Sequence, residues 1–154
     1  MSLYHLFESL EATPVGAGIK ESVWLFPAIE TVHLLALSLL GGAILLLDLR
    51  LLGLGLTGQP ASALERSTRP WLIGAIATMI ATGVLLGFSE ALKLYDKPAF
   101  WVKMIALAAA VAFTFAVRNP VARREPGQIG KVVGVVSLSL WLTVAIAGRW
   151  IGFS

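Results

Sequence analysis

The chain has 154 residues, of which 57% are hydrophobic and 14% charged, with a net charge of +3 and a mean hydropathy of +0.83. These values exclude a water-soluble domain of ordinary composition, and the complete lack of cysteine excludes disulfides, thiolate metal sites and iron–sulfur clusters. The small basic excess needs no nucleic acid to explain it, because anionic lipid headgroups are a sufficient partner.

The first part of the chain predicts a short helix lying on the membrane surface. Its apolar residues recur at helical spacing, with acidic and polar residues between them: Leu3, Leu6, Phe7 and Leu10. The threonine, proline and glycines at positions 13–18 are expected to break this helix. No basic segment precedes the first long apolar run, so we expect the N-terminus to belong to the mature protein rather than to a secretory signal.

Four apolar stretches follow, at about residues 22–46, 70–92, 99–117 and 130–151. Each is near the roughly 20 residues that cross a hydrocarbon core of about 30 Å. Lipid offers no partner to free backbone groups, and the stretches lack the alternating pattern of barrel strands, so the spans are expected to be helical. We therefore predict an all-α fold, a transmembrane four-helix bundle that forms one integral membrane domain over residues 1–154.

The loops predict the orientation, since lysine and arginine accumulate on the cytoplasmic side of short connections. The cations near the first and third loops are Arg50, Arg66, Arg69, Arg118, Arg123, Arg124 and Lys131. Those near the opposite surface are Lys20, Lys93, Lys97, Lys103 and Arg149. The larger set is expected to face the cytoplasm, which places both termini on the outer, periplasmic side of a bacterial inner membrane.

The first span contains Glu30 and His33, which are three residues apart and so lie on one face of a helix. An ionisable residue at the bilayer centre costs roughly 2.5 to 3.5 kcal/mol on insertion scales, so such residues are rare within spans and often functional. No other histidine lies inside a predicted span. This pair is therefore the first place to look for chemistry.

Asp48 lies at the far end of the first span. It is expected to form an interfacial pair with Arg50, or to hold Arg66 or Arg69 across the first loop. Replacing it is then expected to harm assembly.

The remaining polar groups of the spans lie near the same end of the predicted bundle as Glu30 and His33. Glu90 ends the second span, Lys103 lies in the first turns of the third, and Arg149 lies near the end of the fourth. Successive spans alternate in direction, so these side chains are expected at one level in the outer half of the membrane. The tryptophans at this level are Trp24, Trp101 and Trp150. The alternative is that the cations snorkel to the headgroups and the tryptophans form an aromatic belt.

His33 can serve as an iron ligand, because imidazole is the usual axial donor to haem. A carboxylate such as Glu30 can orient its second ring nitrogen. The second axial position is left to Lys103, to an open site, or to His33 of a second subunit in a homo-oligomer. Lys103 or Arg149 can instead pair with haem propionates. A copper site is less favoured, since it wants more imidazole and thioether donors than the chain has.

A cofactor-free alternative uses the same residues. In it, a neutral His33 bonds to a neighbouring helix and the carboxylate three residues before it pairs with Lys103 or Arg149. The protein is then a membrane scaffold subunit or small transporter with a structural polar cluster. Transport is the weaker version, because the sequence has no internal repeat and no discontinuous helix pair.

Two segments carry a resemblance to known membrane proteins. The residues in the first are Trp24, Pro27, Glu30, His33 and Gly41, followed by residues 48–53, and the second covers residues 97–104. Over residues 22–120 the chain resembles a family of small bacterial four-helix membrane proteins catalogued as a domain of unknown function. More distantly it is similar to the copper-resistance D-type membrane domains and the four-helix membrane protoporphyrinogen oxidases.

The resemblance implies haem or porphyrin handling, with His33 and Lys103 matching the histidine and lysine of the oxidase pattern. Together with the residue-level reasoning it predicts a haem b protein that acts in electron transfer or porphyrin handling. His33 would be the metal ligand, and Lys103, Glu30, Arg149 and Trp101 would complete the cofactor site. The expected redox partner is quinone or a periplasmic protein, and whether the chain is an enzyme is left open.

Overall fold

The computed structural model describes residues 2–153, and all regular structure in that range is helical. The α-helices are α1 (Leu3–Glu11), α2 (Pro14–Glu21), α3 (Leu25–Leu52), α4 (Ala61–Ser89), α5 (Ala91–Tyr95), α6 (Pro98–Phe113), α7 (Asn119–Arg123) and α8 (Gln128–Phe153). A π-helical turn, Thr114–Arg118, joins α6 to α7. Within the described residues, four segments are long and apolar enough to cross a membrane: α3, α4, the continuous run Pro98–Arg123, and α8. The predicted fold class is confirmed.

The spanning helices are longer than the apolar stretches that predict them. The first extends to Leu52 instead of residue 46, and the second begins at Ala61 instead of residue 70. The added turns of α4 carry charged residues, of which Glu65 and Arg69 pair with each other, so hydropathy does not detect these turns. The Glu125 carboxylate also accepts hydrogen bonds from the backbone N–H groups of Ala61 and Ser62, which satisfies the start of α4.

The N-terminal region forms two short helices where the sequence predicts one, and their position on a membrane surface stays a prediction. The predicted helix is confirmed as α1, but the following segment starts a second helix, because Pro14 occupies a first-turn position and the Thr13 hydroxyl accepts from the N–H of Gly16 at 3.2 Å. Gly16 lies against α4, where an added Cβ would come within 2.7 Å of the Phe88 carbonyl oxygen. A glycine is therefore needed for this contact.

The helices pack unevenly around the bundle. Along its length α3 contacts α4, and α8 contacts both α3 and α6. Within the described residues, by contrast, α4 and α6 barely approach each other, and α4 meets the third span mainly through α7. The third span is therefore held against the second at one end and separated from it at the other.

We name the two ends of the bundle by their polar residues. The Asp48 end carries the loops at residues 53–60 and 124–127, and the His33 end carries α1, α2 and α5. Apolar side chains, among them Leu40, Ile44 and Leu72, fill the bundle between the ends. Which end faces the cytoplasm stays a prediction.

Candidate functional site

His33 is half-buried on α3 and is bound to α4 through one ring nitrogen. Its Nδ1 lies 2.7 Å from the Thr82 hydroxyl oxygen, and that hydroxyl lies 2.7 Å from the carbonyl oxygen of Thr78. With the hydroxyl proton donated to Thr78, the Thr82 oxygen accepts from Nδ1–H. This arrangement fixes the neutral tautomer whose Nε2 keeps its lone pair. The Met79 backbone also interacts with the imidazole. Among residues 2–153 no side chain hydrogen-bonds to Nε2.

Lys103 lies at the same end of the bundle as His33. It is half-buried on α6. A Cβ added at Gly148 of α8 would lie 3.4 Å from the Lys103 Nζ, so the lysine crosses the surface of α8 where a larger side chain would crowd it. Within the described part of the chain, Lys103 makes no hydrogen bond or ion pair.

The structure does not join the other predicted residues into one cluster with these two. Glu30 is exposed and makes no hydrogen bond or ion pair within residues 2–153, so Thr82, and not Glu30, orients His33. Arg149 is exposed, with its guanidinium carbon 4.5 Å from the centre of the Phe153 ring. Glu90 pairs with Lys93 at 3.3 Å. At this end the structure therefore joins His33 to Thr82 and leaves Lys103 as a half-buried cation against α8.

Trp101 connects the short helices α1 and α5 to the bundle. It is 38% exposed, and its indole N–H donates to the carbonyl oxygen of Tyr95 at 3.0 Å. Its ring also contacts those of Phe7, Tyr95 and Phe100 at centroid distances of 5.4 to 6.1 Å. These contacts give Trp101 an anchoring role between α1, α5 and α6.

A second polar cluster, at the Asp48 end, is completely buried. Asp48 and Arg118 are 0% and 1% exposed, and the Arg118 Nε donates to the carboxylate at 2.6 Å. Ser137 of α8 donates to the second carboxylate oxygen at 2.7 Å, and the Arg118 Nη2 donates to the carbonyl oxygen of Ile44 at 3.0 Å. The network thus connects three of the four spans.

The prediction that Asp48 pairs with Arg50, Arg66 or Arg69 is wrong. Arg50 donates to the carbonyl oxygen of Gln59, and Arg69 donates to Glu65. The reason is burial, because the Asp48 carboxylate lies inside the bundle where the surface arginines do not reach. Arg118, which the sequence assigned to the charged cytoplasmic loops, points inward instead.

The π-helical turn explains why Arg118 points inward. In this turn the backbone N–H of Asn119 donates to the carbonyl oxygen of Thr114, five residues earlier. Both Arg118 and Asn119 are buried. The Arg118 Nη1 donates to the side-chain oxygen of Asn119 at 3.1 Å, which leaves the Asn119 Nδ2 buried without a partner within the described residues. Pro120 is a sequence signal for this turn, because it cannot donate to the carbonyl four residues before it and its ring crowds that carbonyl.

Glu65 forms a further ionic group at the Asp48 end. Its side chain is buried, and it accepts from the Arg69 Nε at 2.7 Å and from Arg123 at 3.1 Å. In the following loop, hydrogen bonds from Ser62 lower the pKa of the Glu125 carboxyl. These contacts hold the third loop against the start of α4.

The donor set restricts the metal chemistry available. The described residues contain no group of three or more histidine, aspartate or glutamate side chains that could hold a metal ion by themselves. A single imidazole with a free Nε2 suits a metal that already carries its other ligands, as iron does in a porphyrin.

Comparison with known proteins identifies the family. The sequence model of DUF6644, a family of unknown function, matches residues 14–154. The chain belongs to this family. The match includes α2 and all four spans, so the predicted membership in a family of unknown function is confirmed. No curated protein and no solved structure matches this DUF6644 chain, and its distant resemblance to the copper-resistance domains and the oxidases stays a prediction.

Proposed function

We propose that this DUF6644 protein binds haem b at the His33 end, with the His33 Nε2 as axial ligand. It would serve as an electron-transfer or porphyrin-handling subunit of the bacterial inner membrane, with quinone or a periplasmic protein as redox partner. The observation that carries the proposal is the hydrogen bond from the His33 Nδ1 to Thr82, which leaves Nε2 free to bind iron.

The hydrogen bond matters because histidines that bind metals almost always donate their other ring N–H to a fixed acceptor. Here the acceptor is itself fixed, since the Thr82 hydroxyl donates to the backbone of its own helix. The cofactor-free alternative also predicts a bond from His33 to a neighbouring helix. The feature that supports a ligand role is therefore the second ring nitrogen, Nε2, to which no side chain among residues 2–153 bonds.

Lys103 supplies the second argument. It is a half-buried cation at the same end of the bundle as His33, without an acceptor among the described residues. Haem propionates are carboxylates that pair well with such a cation. Lys103 would thus orient the porphyrin while His33 binds its iron, and the bound haem would supply one-electron chemistry.

Glycines lie beside both residues of the proposed site. Gly83 lies beside His33 and Gly148 beside Lys103, so neither α4 nor α8 presents a side chain at these contacts. The helices α4 and α6 are also separated at this end of the bundle. With no second histidine in the spans, the other axial position is open, is taken by Lys103, or is taken by His33 of a second copy.

Absorption spectroscopy tests the proposal. The protein is purified in mild detergent from haem-supplemented cells, and oxidised and dithionite-reduced spectra are recorded. We expect a Soret band that is absent from His33→Ala and present in the control His5→Ala, because His5 is exposed on α1 and bonds to Glu8. Thr82→Val, which removes the Nδ1 acceptor, is expected to weaken haem binding by about 10- to 100-fold.

Two results would overturn the proposal. One is a colourless but folded wild-type protein despite full haem supply, and the other is a Soret band that His33→Ala leaves unchanged. Either would favour the cofactor-free scaffold subunit, in which His33 and Thr82 only connect α3 to α4.

A further inference from the structure

An apolar groove of about 480 Å³ runs along the outer surface of the bundle between α3 and α4. It is lined mainly by Val32, Leu35 and Leu39 of α3 and by Pro70, Gly74 and Thr78 of α4. Neither His33 nor Asp48 lines the groove, although Thr78, whose carbonyl accepts from Thr82, does.

The shape of the groove comes from residues with little bulk. Gly74 has no atom within 4 Å of the position that a Cβ would take, so the space above it is open. Trp71 lies at the edge of the groove and is 62% exposed. Along α4 the groove covers residues 70–78, about 12 Å at 1.5 Å per residue. This length is close to the depth of one leaflet, about half of a 30 Å hydrocarbon core.

An exposed cation precedes the groove residues along α4. Arg66 precedes Pro70 by four residues and therefore lies on the same stripe of α4 as the groove residues. Helical side chains incline toward the N-terminus of their helix, and the N-terminus of α4 lies at the Asp48 end. Within residues 2–153, Arg66 makes no hydrogen bond or ion pair, and it is exposed. Four other arginines of this end have acceptors: Arg50, Arg69, Arg118 and Arg123.

We propose that Arg66 and the groove form a binding site for an anionic phospholipid. One acyl chain lies between α3 and α4 on Gly74, and the lipid phosphate pairs with Arg66. Charge complementarity selects this occupant, because a zwitterionic lipid offers the arginine no net negative charge. The length also fits a chain within one leaflet, whereas a packed transmembrane helix would need a face across the whole membrane.

Lipid retention tests the site with matched variants. Wild-type protein is incubated with phosphatidylglycerol or phosphatidylcholine in detergent, and bound lipid is measured by native mass spectrometry. Arg66→Gln is compared with Arg124→Gln, which removes an exposed cation of the same end that does not lie over the groove. Gly74→Leu is compared with Gly42→Leu, because Gly42 also has open space around it but lies outside the groove.

We expect wild type to retain phosphatidylglycerol over phosphatidylcholine. Arg66→Gln should reduce that preference about 5-fold, the effect of one cation near a lipid surface, and Gly74→Leu should abolish retention of both lipids. The two control variants should behave as wild type. Brominated phosphatidylglycerol should quench the fluorescence of Trp71, measured as the difference between wild type and Trp71→Phe. This quenching should be weaker in Gly74→Leu.

Equal retention by all four variants would overturn the proposal. An oligomer that Gly74→Leu dissociates would overturn it as well, and would assign the groove to a second copy of the chain. Neither result depends on haem, since the variants lie outside the His33 end.

Discussion

Replacing Arg118 with methionine would leave the Asp48 carboxylate buried without its cation. Both side chains are at most 1% exposed, and Arg118 donates to Asp48, to Asn119 and to the carbonyl oxygen of Ile44. After the substitution Ser137 would be the only remaining donor to the carboxylate among the described residues. Breaking a buried ion pair by removing one partner costs about 3 to 5 kcal/mol, so we expect a loss of stability of that size.

The double variant Asp48→Leu with Arg118→Met removes both charges of the ion pair, whereas Arg118→Met removes only one. A buried pair replaced by apolar side chains of similar size is often neutral in stability, so the double variant should be within about 2 kcal/mol of wild type. Arg123→Met is the control, because Arg123 is half exposed and its partner Glu65 keeps Arg69. It should cost at most about 1 kcal/mol.

The measurement is the free energy of unfolding in mixed micelles of a mild detergent and sodium dodecyl sulfate, followed by circular dichroism. A loss below about 1 kcal/mol for Arg118→Met would refute the reasoning. A double variant as unstable as the sum of the two single variants would also refute it, because the two groups would then not act as a pair.

Two further predictions concern the ends of the bundle. Gly16→Ala should destabilise the contact of α2 with α4 by about 1 to 3 kcal/mol, because the new methyl group overlaps a backbone carbonyl. Gly18→Ala is the control and should cause no such loss, because there is open space around Gly18. Thermal unfolding in detergent compares the two variants. Hydrogen bonds from Ser62 lower the pKa of Glu125, so its stabilising effect should be complete above the unfolded pKa of about 4.5 and lost as the pH falls through the lower folded pKa. Melting temperatures of wild type and Glu125→Gln should therefore differ at neutral pH and converge in acid; a constant difference would contradict this.

The four spans could be predicted because composition and length decide them in lipid. Their ends could not, since the charged turns of α4 are helical only because Glu65 finds Arg69 and Arg123 and because Glu125 caps the helix from another loop. Such partners are far apart in the sequence. A hydropathy profile therefore assigns the charged first turns of α4 to a loop.

The site was predictable in part. His33 and Lys103 are rare ionisable residues of the spans, and the alternation of helix direction brings them to the same end of the bundle. Thr82 was missed, because many hydroxyl groups in membrane helices bond only to their own backbone. Arg118 was assigned to the surface because a charge count does not detect a π-helical turn, although the proline two residues later indicates one.

The unequal spacing of α4 and α6 affects how a ligand would reach His33. Haem partitions into membranes, and a bundle whose neighbouring spans are in contact at one end only can admit such a molecule sideways from the lipid. We expect loading to require little separation of the Asp48 end, where the buried network of Asp48, Arg118 and Ser137 connects three spans. The route into the protein would then lie within the bilayer, and the water-facing loops would not have to open.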